Sequence, residues 1–151
     1  MDKKTRGPIS SGKTENLAST RIPCRILLAE DDNEMRALLV FALQRAGYEV
    51  IECLDGVGLL AHLEPFLNTG KSQDMHFSLI ISDIRMPGLT GLEVLEGIKG
   101  HNEFPPVILI TAFGDQKTHE MAEILGAAAI FDKPFDVDDL LTKVRELLPP
   151  P

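Results

Sequence analysis

From Arg25 onward the chain alternates between two hydrophobic periods. Ile26-Leu27-Leu28-Ala29 is a continuous apolar run, short enough for a strand. Behind it Met35, Leu38, Leu39, Ala42, Leu43 and Ala46 recur at helical spacing; Asp32 or Asn33 can cap that helix and Gly47 stops it. Tyr48–Glu52 reads as a second strand, with polar positions that suit a sheet edge. Val57–Leu67 predicts a second helix with Leu59, Leu60, Leu63 and Leu67 on one stripe, followed by a polar loop over Asn68–Asp74. Phe77–Ser82 is a third strand, and Leu89–Lys99 a short helix carrying Leu92, Leu95 and Ile98. Pro105-Pro106 sets off a fourth strand, Val107–Ile110. Gln116–Leu125 is a helix ended by Gly126, and Ala128–Phe131 a short fifth strand. Asp136 caps a last helix whose stripe is Val137, Leu140, Leu141, Val144, Leu147 and Leu148, and Pro149–Pro151 ends it.

Strands that are apolar throughout are buried on both faces. Five of them alternating with five helices therefore predict a parallel α/β sheet with helices on each side. Right-handed crossovers favour a doubly wound sheet, whose ligands bind beyond the carboxyl ends of the strands. Glu30-Asp31-Asp32 follows strand one, Asp83 strand three, Thr111 strand four and Lys133 strand five, so the fold brings them to one rim. Carboxylates gathered there repel by about 4 kcal/mol per pair at roughly 4 Å and an effective dielectric of about 20. A hard divalent cation, Mg2+ or Mn2+, offsets that repulsion, and Lys133 adds a mobile positive charge. Asp32 taken alone reads better as a solvated helix cap.

Length and charge refine this picture. The chain has 151 residues, room for one domain and a tail, and a net charge of −8. Residues 1–25 are net basic through Lys3, Lys4, Arg6, Lys13, Arg21 and Arg25, whereas the remainder carries the acidic excess and suits nucleic acid poorly. We read residues 1–24 as a flexible basic tail, 25–148 as the folded domain and 149–151 as a proline tail. Cys24 and Cys53 are too few for a disulfide framework. There is no apolar run long enough for a bilayer and no apolar leader in the first twenty residues, so a cytoplasmic location is expected.

Four stretches carry a resemblance. Ile26–Asp32, Leu79–Gly88, Ile110-Thr111-Ala112 and Lys133-Pro134-Phe135 fall in order at strand ends, and residues 25–148 resemble the receiver domain of two-component response regulators. The resemblance implies a flavodoxin-like five-stranded parallel sheet in the order 2-1-3-4-5 with five helices, acting as a phosphorylation-activated switch. Asp83 resembles the phosphoacceptor, a carboxylate of the kind that forms aspartyl phosphates. Asp31 resembles the direct Mg2+ ligand, joined by Asp83 and the backbone carbonyl of Arg85, with Glu30 acting through water. Thr111 would hydrogen-bond a phosphoryl oxygen, Lys133 would pair with the phosphoryl group, and small Ala112 would leave it room. The Lys133–Pro134 peptide is expected to be cis. Gly88 and Gly91 let the backbone after Asp83 turn tightly. Such a chain is not a turnover enzyme, although it assists its own phosphorylation and dephosphorylation.

The implied partners are a sensor histidine kinase or histidine phosphotransfer protein upstream, and a protein target or output domain downstream. The face made by Gln116–Leu125, Ala128–Phe131 and Val137–Leu148 would meet the target. A phosphorylation-dependent homodimer is compatible with this; direct nucleic-acid and membrane binding are not expected. The chain reads as a single-domain receiver or the receiver portion of a larger regulator.

Three departures from the family stand out. Receivers usually place an aromatic residue three before the lysine; here the position is Ile130, stiff at its first torsion, with Phe131 beside it. The signal should then travel through movement around Gln116–Leu125. Arg85 and Phe113, two residues after Asp83 and Thr111, should shield the phosphoryl group and lengthen its lifetime. The stretch near Asn68–His76 is longer than usual, a tolerated surface loop or a partner contact.

Competing readings are weaker. Gly7–Thr14 matches the P-loop pattern, but Met1–Arg6 is no strand and Glu15–Thr20 is too short and polar to bury. A haloacid-dehalogenase-like phosphatase would want an acid where Arg85 stands. His62, His76, His101 and His119 show no metal-ligand spacing. A pseudo-receiver that binds partners without phosphorylation is the non-phosphorylated alternative, although the acids, Asp83 and Lys133 are all present.

Overall fold

Within β1 (Arg25–Ala29) successive side chains point to opposite faces, and Ile26, Leu27, Leu28 and Ala29 are all fully buried. The same holds for β3 (Leu79–Asp83) and β4 (Val107–Thr111). Apolar runs of this kind need cover on both sides, and helices supply it. The remaining elements are α1 (Asn33–Arg45), β2 (Glu49–Cys53), α2 (Gly56–Thr69), α3 (Gly91–Ile98), α4 (Gln116–Ile124), β5 (Ala129–Asp132) and α5 (Val137–Leu147). The computed structural model describes residues 24–69, 77–100 and 104–148. The expected tail up to residue 23, the P-loop-like Gly7–Thr14, His101 and the terminal prolines lie outside the described residues, as do residues 70–76 of the long Asn68–His76 stretch.

All strand pairs are parallel, in the order β2-β1-β3-β4-β5. The sheet splits the core in two. Ile26, Leu28, Leu79, Ile81, Ile108 and Ile110 pack with Leu39 and Leu43 of α1 and with Leu140 and Val144 of α5. Leu27, Ala29, Ile80 and Leu109 pack with Leu59 and Leu63 of α2, with Val94, Leu95 and Ile98 of α3 and with Ala122 of α4. The edge strand β2 is polar where it meets solvent: Glu49 pairs with Arg25 at 3.0 Å and Glu52 with Arg36 at 3.2 Å.

Side-chain caps start the helices. Asp32 accepts from the Glu34 and Met35 amides, Asp115 from Thr118 and Asp136 from Asp138. Thr90 forms a capping box with Glu93, so α3 begins at Gly91 rather than at Leu89 as the apolar spacing suggests. β3 starts later than the expected Phe77, and β3, β4 and β5 each run one residue further, to Asp83, Thr111 and Asp132. Polar residues at these positions suggest earlier strand ends, but pairing continues to the rim, with Asp83 opposite Ile110 and Thr111 opposite Asp132. Helix α2 begins at Gly56 and continues through Pro65, so Asn68 and Thr69 are helical rather than loop. Pro65 and Ala61, whose carbonyl faces the amide that proline lacks, are both exposed, where water can take the bond. No helix of the described residues is long and apolar enough to cross a membrane.

Candidate functional site

The carboxyl ends of β1, β3, β4 and β5 deliver Glu30, Asp83, Thr111 and Lys133 to one rim. Glu30, Asp83 and Thr111 are buried, Asp31 is exposed, and Lys133 is largely covered. Lys133 Nζ donates to Asp83 Oδ2 at 3.0 Å and lies 3.0 Å from Glu30 Oε1. That Oε1 has no aligned hydrogen bond, whereas Oε2 accepts from the Asp32 amide at 3.1 Å. Asp83 Oδ1 accepts from the Arg85 amide at 3.2 Å. Thr111 Oγ1 accepts from the Phe113 amide at 3.0 Å, which leaves its proton to donate elsewhere. A groove of about 500 Å³ opens beside Asp31, walled by Arg85, Met86, Pro87 and Thr90.

One lysine cannot balance this many carboxylates. Burial pushes the Glu30 carboxyl from 4.5 up to about 7, and the charge of Asp83 adds to the rise. Burial also works to lower the Lys133 ammonium, but the hydrogen bond to Asp83 and the negative charges of Asp83 and Glu30 outweigh it and hold Lys133 above its ordinary value. Oxygens of Glu30, Asp31 and Asp83 all lie within 4.8 Å of one another. A hard, oxygen-seeking divalent cation fits this donor set, because it would supply the missing positive charge and engage the unaligned Glu30 oxygen.

The backbone around Asp83 is shaped by small residues. A Cβ on Gly91 would sit 2.6 Å from the Asp83 carbonyl oxygen, so glycine here lets α3 close onto β3. Gly88, at φ +87°, makes the turn between them. The Lys133–Pro134 peptide is cis. Two supports carry no motif signature. Ser82 Oγ donates to the Asp83 carbonyl at 2.9 Å, and Arg36 donates to the Glu30 carbonyl at 2.8 Å from the first turns of α1. Arg36 is visible in sequence only as one more helix cation.

Residues 26–145 match the family profile of the response regulator receiver domain. This chain belongs to the response regulator receiver family. The receiver protein CpdR of Brucella abortus is 33% identical over 124 residues, spanning 82% of this chain and 96% of that one. Sporulation initiation phosphotransferase F of Bacillus subtilis is 30% identical, over 83% of this chain and 94% of its own. Among solved structures, the chemotaxis response regulator CheY4 of Vibrio cholerae superposes with a TM-score of 0.70 at 27% identity, over 84% of this chain and all (100%) of that one. The regulator TrrA of Thermotoga maritima, solved with Mg2+ and beryllofluoride, superposes at 0.67 with 32% identity, over 83% and 99% of the two chains.

Within this receiver Ile130 packs with the core on the α2–α3–α4 side, whereas Phe131 packs on the opposite side, its ring 5.8 Å from that of Phe135. Strand alternation thus sets Ile130 and Phe131 on opposite faces of the sheet. Ala112 is exposed at the rim. His62 is satisfied, its Nδ1 2.9 Å from the Gly58 carbonyl and its ring edge-on to Phe77. His119 lies against Asp132, a contact between two elements that neither segment signals locally.

Proposed function

We propose that this receiver is a phosphorylation-activated switch of a two-component phosphorelay, with Asp83 as its phosphoacceptor. The observation that carries the reading is the buried Asp83 carboxylate, bonded through Oδ2 to Lys133 and grouped with Glu30 and Asp31. An Asp83 oxygen attacks the phosphorus of a phosphohistidine; the new O–P bond forms as the N–P bond breaks, and the imidazole leaves with the electron pair. Lys133 then pairs with the phosphoryl group, and the Thr111 hydroxyl donates to one of its oxygens. Exposed Ala112 offers no side-chain bulk in the way. This is positioning and charge neutralisation, which is what phosphoryl transfer chiefly requires.

Asp31, Asp83 and the Arg85 carbonyl would hold Mg2+ directly, with Glu30 acting through water; Mn2+ suits the same oxygens. When bound, the ion neutralises the carboxylates and the phosphoryl charge. The donor is a sensor histidine kinase or a histidine phosphotransfer protein in the cytoplasm. The output is a protein contact, with a target, an output domain or a second copy, on the face of α4, β5 and α5. The receiver assists its own phosphorylation and dephosphorylation without being a turnover enzyme.

Intact mass after acetyl phosphate and Mg2+ tests this. One phosphoryl group should be gained, and the gain should vanish without Mg2+ and in Asp83→Asn. A folded protein that neither gains mass nor binds beryllofluoride would overturn the reading.

A further inference from the structure

Helix α4 is weakly seated: Ala122 is its one buried residue. Its carboxyl end is held by Lys99, whose Nζ donates to the Ile124 carbonyl at 3.3 Å. Its amino end is held by His119, whose Nε2 lies 2.9 Å and 3.0 Å from the two carboxylate oxygens of Asp132. Since a carboxylate only accepts, Nε2 carries the proton and donates. Asp132 ends β5, pairs with Thr111 in register and immediately precedes Lys133. Gly114, between Thr111 and α4, lies directly beneath the contact: a Cβ there would land on Asp132 Oδ1 and come within 2.9 Å of His119 Nε2. Its φ is not in the left-handed region, so the glycine serves the close approach and not the backbone.

We propose that His119, Asp132 and Gly114 form a clasp that sets the resting position of the loop after Thr111, with His119 as a positioning residue for phosphoryl binding. Residues 112–115 join Thr111, which must turn toward a phosphoryl group, to the first turn of α4. Thr111 Oγ1 is already tied to this loop through the Phe113 amide. The clasp ties the far end of the same loop to β5. Any shift of Thr111 and Ala112 toward Asp83 therefore works against it. With Ile130 providing no ring to swing, the clasp is a polar side-chain link between α4 and β5 through which that shift is felt. The inference rests on the proposed roles of Asp83, Thr111 and Lys133.

Two measurements on the full chain test it. The first is amide hydrogen exchange across 112–125 without any ligand. The second is beryllofluoride affinity in Mg2+. His119→Ala and Gly114→Ala break the clasp from opposite sides. Each should speed exchange in 112–125 and tighten beryllofluoride by about two- to five-fold, the range for a partly exposed side-chain hydrogen bond. His119→Gln, whose amide can still reach Asp132, should restore both. The double variant His119→Ala/Gly114→Ala should match the single variants, because one contact cannot be lost twice. Unchanged exchange in both single variants, additive effects, or weaker beryllofluoride binding would overturn the proposal. If the parent protein binds no beryllofluoride, the phosphorylation reading fails, while the exchange data still report on the contact itself.

Discussion

The guanidinium of Arg85 lies over the ring of Phe113, 4.5 Å from its centroid. The contact joins the loop after Asp83 to the loop after Thr111, and both residues are exposed, Phe113 by 62%. A cation on an aromatic face contributes about 0.5–1 kcal/mol at such a site. We propose that the pair shields a phosphoryl group on Asp83 from water. Arg85→Ala and Phe113→Ala should each shorten the lifetime of phosphorylated Asp83 by a few-fold, followed by loss of the phosphoryl mass with time. The parent lifetime should exceed that of fast chemotaxis receivers; a lifetime of seconds in Mg2+ would count against this shielding.

Metal should stabilise the fold through Glu30, Asp31 and Asp83. At ten times its dissociation constant, Mg2+ should add about 1.4 kcal/mol, or roughly 5 °C in melting temperature for a domain of this size. Asp31→Asn should abolish most of that shift. Calorimetry with and without chelator reads both, and an equal shift in the variant would place the ion elsewhere.

Ile130 leads to an expectation about where change occurs on activation. With no aromatic ring at this position and Phe131 on the other face, beryllofluoride should perturb amide resonances across 112–125. Side chains lining the α5 face should shift little. A spectrum in which the loop after Thr111 stays unchanged would contradict transmission through α4.

Two glycines of α3 should respond in opposite directions. A methyl group at Gly91 meets the Asp83 carbonyl, Ser82 Oγ and the Ile84 backbone, so Gly91→Ala should cost about 2 kcal/mol. A methyl group at Gly97 meets nothing within 4 Å, and Gly97→Ala should stabilise by about 0.5–1 kcal/mol. Urea unfolding separates the two.

Cys53 is buried, and burial followed by the charge of Asp55 raises its thiol from 9.0 to about 12. The unfolded chain then releases this proton first as pH rises above 9. The contribution of Cys53 to stability therefore falls between pH 9 and 12. From pH 8 to pH 10 the parent should lose about 1 kcal/mol more than Cys53→Ala. The native thiol should also resist iodoacetamide at pH 8 and react once unfolded.

Much of this molecule is written locally. The apolar runs at Ile26, Ile80 and Val107, the helical stripes behind them and the caps Asp32 and Asp136 depend on neighbours in sequence, so the order of elements was legible. The acids after strands one and three were legible too, because parallel strands must all end on one rim. Strand ends were not: Asp83, Thr111 and Asp132 look like loop residues until a neighbouring strand offers backbone partners. Thr90 does not stand out as a helix start in apolar spacing, because a capping box is a matter of side-chain geometry. His119 and Asp132 belong to separate elements, and nothing in either segment announces the other. Arg36 on Glu30, Arg85 on Phe113 and Gly114 under Asp132 share that origin. Local pattern chose the fold and the chemistry of its rim, because periodicity and strand ends are properties of short segments. Which side chains share, brace and restrain that rim was decided only by packing, because distance in space is independent of distance along the chain.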